Sequence, residues 1–115
     1  MTHTRVRIIG ADAAAIRQLR AIAPARVDVV DEPLAEPDWI LVATDDQRIE
    51  AIRSSGLPPF RVMEVPAITG RLAESDIDTL RILLGKIAAI GVWRAEPSPI
   101  GVRFARLLVR RLIRA

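Results

Sequence analysis

At 115 residues the chain has room for one hydrophobic core, and its lack of cysteine excludes disulfides, thiol catalysis and thiolate metal sites. Half of it is hydrophobic, yet no apolar run approaches the length of a membrane-spanning helix. The net charge of +3 conceals a polarity: residues 1–96 hold 12 basic and 14 acidic side chains, whereas residues 97–115 hold five arginines and no acid.

The opening Met1-Thr2-His3-Thr4-Arg5 leads straight into a strand pattern, with no apolar leader and no small-residue cleavage site, so the expectation is a cytoplasmic protein. Arg5 to Ile9 reads as a first strand with Val6 and Ile8 on one face. Gly10-Ala11-Asp12 then turns into a helix over Ala13 to Ala23, capped by Asp12, with Ile16, Leu19, Ile22 and Ala23 as its apolar stripe and Pro24 as its stop. Arg26 to Val30 alternates in polarity as an edge strand does, and Asp31 to Glu36 is too short a connection for a full helix.

The most apolar stretch follows. Trp39 to Ala43 runs without a polar break, bounded by Pro37-Asp38 and by Asp45-Asp46, which predicts a central strand covered on both faces. Asp45 or Asp46 is placed to cap a helix over Gln47 to Ser55 that Gly56 ends. After the turn Gly56 to Pro59 a strand is expected from Phe60 to Val65, and Pro66 to Glu74 reads as irregular. Ser75 and Asp78 resemble a capping box that opens the longest helix, Asp76 to Ile90. Its apolar face holds Ile77, Leu80, Leu84 and Ile87, widened by Ile82, Leu83, Ala88 and Ile90. Val92 to Ala95 reads as a last strand, and Glu96 to Pro99 breaks the chain before a final helix over Ile100 to Arg114.

Five strands alternating with four helices predict a single α/β domain over residues 1–115, three-layered and doubly wound. Right-handed crossovers then favour a largely parallel sheet of order 2-1-3-4-5, with ligands expected at the switch point between the first and third strands. The expected core includes Ile8, Leu19, Val29, Ile40, Val42, Ile52, Val62, Leu80, Leu84, Leu108 and Leu112.

Two site readings compete at that switch point. Gly10 to Ala15 sits between a strand and a helix, as a dinucleotide-binding turn does, and Asp31 ends the second strand where an acid would hold a ribose. With Thr44 and Asp45 these residues form a Rossmann-like nucleotide site, possible in an oxidoreductase-related domain. Asp12 opposes it, because a charged side chain replaces the second glycine and repels pyrophosphate.

The other reading covers nearly the whole chain. The stretch Arg5 to Leu19, Pro37-Asp38 before the central strand and Glu96-Pro97 before a basic last helix resemble a response-regulator receiver domain. That resemblance implies a flavodoxin-like signalling fold and an acid-bound magnesium beside a phosphoacceptor aspartate. The positions that match the family's chemistry do not carry it. Gly10 and Ala11 stand at the metal acids, Ala43 at the acceptor, Glu64 or Val65 at the hydroxyl residue and Glu96 at the lysine. Without acceptor, metal pair or lysine, phosphoryl transfer has neither nucleophile nor charge neutralisation. What the resemblance implies is a degenerate receiver, or pseudo-receiver.

Asp12, Asp45 and Asp46 are the acids that a divalent cation at the switch point would use, but they serve as readily as helix caps. His3 lies near the terminus, and Ser54-Ser55 has no nearby base, so no catalytic residue, metal ligand or cofactor is assigned. The final helix carries the clearest surface signal. Arg103, Arg106, Arg110 and Arg114 form a stripe with Arg111 beside it and Leu107 among them, opposite Val102, Ala105, Leu108, Val109, Leu112 and Ile113. Its readings are a solvated face, or a docking surface for an acidic protein partner or a second copy. The narrow patch lacks the aromatics that nucleic-acid surfaces interleave. The expectation is a non-enzymatic interaction module that forms a homodimer through this helix together with the helix over Asp76 to Ile90.

Overall fold

The computed structural model describes residues 3–32 and 36–91. Alternation sets the first strand, β1 (Thr4–Ile9): Val6 and Ile8 are buried on one face, with Arg5 and Arg7 on the other. It pairs in parallel with β2 (Val27–Val30) on one side and β3 (Trp39–Val42) on the other, with Val6 opposite both Val29 and Trp39. β3 pairs in parallel with β4 (Val62–Glu64), Ile40 facing Val62. All four residues of β3 are buried, as its unbroken apolar run predicts.

Among the described residues, three α-helices cover this sheet in two layers. On the first face, α1 (Ala13–Ile22) contributes Ala15, Ile16 and Leu19, and α3 (Glu74–Ile90) contributes Leu80, Leu83, Leu84 and Ile87. These pack with Val6, Ile8, Val29, Trp39 and Leu41. On the second face, α2 (Asp45–Ser55) lays Ala51 and the half-buried Ile52 on Ile40, Val42 and Val62. The result is a three-layer α/β domain with a parallel sheet. Among the described residues no helix is long and apolar enough to cross a membrane.

The order is β2-β1-β3-β4, four strands among the described residues rather than the five of the expected 2-1-3-4-5. The expected last strand, Val92 to Ala95, and the expected final helix, with Leu108 and Leu112, lie outside the described residues. The position of α3 also departs from the expected order. α3 packs on the face that α1 occupies and touches β2, whereas the expected order puts the helix after β4 on the face of α2. The chain is drawn to that face by two contacts with α1. The Asp12 amide donates to the Ile68 carbonyl at 2.9 Å. The Gln18 amide takes the Leu72 N–H at 2.8 Å and returns a bond to its carbonyl at 3.2 Å.

Local boundaries shift for stated reasons. α2 starts at Asp45, capped by Thr44 rather than by either aspartate. The expected first half of β4 is a 3-10 turn, Pro59–Arg61, because Pro58 and Pro59 fix φ and remove ladder donors. A second such turn, Pro66–Thr69, follows β4. α3 begins at Glu74, two residues early, with Ala73 at its cap and no side-chain cap bond, so the Ser75–Asp78 box does not form. Ile82 is exposed, not part of the apolar face. It lies roughly 200° around the helix from both Leu80 and Leu84.

Candidate functional site

The switch point falls between β1 and β3, where consecutive connections leave on opposite faces of the sheet. On the β1 side the backbone turns at Gly10 with φ +76, a conformation that favours glycine. Asp12 then caps α1, its carboxylate accepting the Ala14 N–H at 2.8 Å. That bond, with the one from the Asp12 amide to Ile68, places two protein groups at the mouth where a pyrophosphate would meet the helix.

On the β3 side the closing group is Gln47. Thr44 caps α2 by accepting the Gln47 N–H at 3.2 Å, and the Gln47 side chain reaches back to accept from the Thr44 and Ala43 amides at 3.1 and 3.0 Å. This reciprocal box fixes the Gln47 carboxamide across the crevice. It lies so close to Gly10 that a Cβ added there would be 2.5 Å from it. The crevice is thus occupied by the chain's own amide, and the glycine exists to admit it.

The other residues singled out from the sequence are dispersed. Asp31 accepts from Arg20 Nη2 at 3.1 Å, a half-exposed pair worth little energetically but one that turns the carboxylate towards α1. Asp45 and Asp46 are exposed in the first turn of α2, where the helix dipole favours acids. Among the described residues no three acids or histidines gather as a metal site, so Asp12, Asp45 and Asp46 are not brought together. His3 contacts Asp28 at 3.2 Å on the surface, and the Ser54 hydroxyl donates to the Glu50 carbonyl at 2.9 Å. Ala43 and Val65 are buried and apolar, and Glu64 is half-buried. Glu96 and the arginines at 103, 106, 110, 111 and 114, with Leu107, lie outside the described residues.

Two features escaped the sequence reading. The pattern Thr44-x-x-Gln47 is itself a capping-box signature and carried the signal for Gln47. Arg61 gave none. It is only 5% exposed, with its guanidinium 5.7 Å from the centroid of Trp39 and 5.8 Å from that of Phe60. Desolvation lowers its pKa, and the nearby Asp38 charge partly opposes this. Its Nε has no hydrogen-bond partner. The chain matches no protein-family model, no curated protein and no solved structure.

Proposed function

We propose that the chain is a cytoplasmic, non-catalytic regulatory or protein-interaction module, a receiver-like fold without a phosphoacceptor site. One observation carries this reading: the switch-point crevice, where such a fold does its chemistry, holds the Gln47 carboxamide seated on Gly10. Ala43 stands where an acceptor aspartate would, and it is 4% exposed. The nucleotide-binding alternative draws less support, since Asp12 caps α1 and Asp31 is turned to Arg20.

A module without chemistry acts by docking. The five arginines of residues 103–114, on a body with more acids than bases, suit self-association. Arginine is favoured at interfaces because its planar fork binds carboxylates bidentately and is weakly hydrated. α3 contributes less to such a surface than its sequence suggested, because its apolar face is spent on α1 and the sheet. Sedimentation should show a homodimer at low salt that dissociates as salt screens the exposed pairs. Arg110→Glu with Arg114→Glu should give a monomer with an unchanged circular dichroism spectrum. A wild-type monomer at high concentration and low salt would leave these arginines as ordinary solubilising residues.

A further inference from the structure

A second concavity lies on the far side of α2 from β4 and adjoins the closed crevice, since Gln47 lines it too. It is a cavity of about 390 Å³ between the helix and the second face of β1. The crossover geometry explains its origin: α2 covers β3 and β4, and none of the described helices covers β1 and β2 on this face. The volume is within the range of small-molecule pockets.

Its lining is unusual in its charges. Arg7 enters from β1, while Asp46 and Glu50, four residues apart and so on one side of α2, enter from the helix. Opposite charges that share a cavity normally pair. Here, among the described residues, none of the three belongs to an ion pair. Arg7 Nε is buried and has no hydrogen-bond partner, so the desolvation of that N–H is not offset by an acceptor. The rest of the lining is uncharged: Ile9 and Ala51 are apolar, and Gln47 and Ser54 are polar.

We infer that this cavity binds a small zwitterion, an α-amino acid with a short apolar side chain. The ligand carboxylate accepts from the Arg7 guanidinium, whose planar fork suits a bidentate partner. The ligand ammonium lies between Asp46 and Glu50, and the side chain rests on Ile9 and Ala51. Both ligand charges are then met by fixed opposite charges, which a singly charged compound does not achieve. The inference goes beyond docking through residues 103–114 and does not depend on it, since the cavity uses only β1 and α2.

The test is calorimetric titration of the full chain with neutral L-amino acids, each alongside its N-acetyl form and its methyl ester. The expected result is saturable binding of at least one short aliphatic amino acid, weakened about tenfold or more by either cap. Arg7→Gln should abolish it. Because Arg7 is partly buried, Asp46→Asn with Glu50→Gln, both exposed on α2, serves as the second variant and should abolish it too, with an unchanged circular dichroism spectrum. No binding by any free amino acid at millimolar concentration would overturn the proposal. So would binding that survives N-acetylation or the double acid variant, since the ammonium would then have no role.

Discussion

Trp39→Ala is expected to destabilise the fold by about 3–5 kcal/mol, the cost of deleting a large buried aromatic side chain. Trp39 is 1% exposed at the start of the central strand, edge-on to Phe60 with centroids 6.1 Å apart. Its indole N–H donates to the Gly91 carbonyl at 3.1 Å, which ties the end of α3 to β3. The substitution therefore opens a cavity, leaves that carbonyl without its donor and removes one of the two rings beside the Arg61 guanidinium. For a domain whose whole stability is typically about 5–15 kcal/mol, this is a large fraction. Urea unfolding measures it. Trp39→Phe should cost far less, since it keeps a ring and loses chiefly the hydrogen bond and some volume. A loss below about 1 kcal/mol for Trp39→Ala would contradict the burial described, because even one deleted buried methylene approaches that value.

The second large effect is at Gly10. Gly10→Ala should cost about 2–3 kcal/mol from two sources that a double-mutant cycle separates. One is backbone: at φ +76 an alanine is strained by about 1–2 kcal/mol. The other is displacement of Gln47, whose carboxamide would have to leave the Ala43 and Thr44 amides to clear the new methyl. On a Gln47→Ala background only the backbone part remains, so Gly10→Ala should cost about 1 kcal/mol less there. Strict additivity of the two substitutions would mean that Gln47 does not sit over Gly10.

These residues also mark where the sequence is legible and where it is not. Trp39 to Val42 announces itself, because only a strand covered on both faces tolerates an unbroken apolar run of that kind. Asp12 after a strand and before an apolar periodicity is equally plain as a cap. Position in the third dimension is less so. The pattern of α3 specifies that Leu80, Leu84 and Ile87 face something, but not which side of the sheet. That choice rests on Gln18 and the Asp12 amide gripping the chain more than 50 residues away in sequence, at Ile68 and Leu72. Nor does local pattern distinguish Thr44 from its two aspartate neighbours as the cap of α2. The reciprocal bond with Gln47 decides it.

The same limit applies to the site. Glycine, an acid and a strand end in the right order resemble a ligand-binding turn whether the crevice is open or filled. What fills it is one glutamine side chain whose reach depends on the spacing of β1 and β3. Arg61 is the converse case, a charged residue that composition would leave in water. Burial there follows from its register beside Trp39 and Phe60.

The central claim is that this fold closes its own switch point and accepts no phosphoryl group. Incubation of the protein with a small phosphodonor and Mg²⁺, followed by intact-mass measurement, tests it most directly. The account predicts an unchanged mass. A stoichiometric phosphate adduct mapped to Asp45 or Asp46 would contradict it, and would make the chain an active receiver with its acceptor displaced into the first turn of α2.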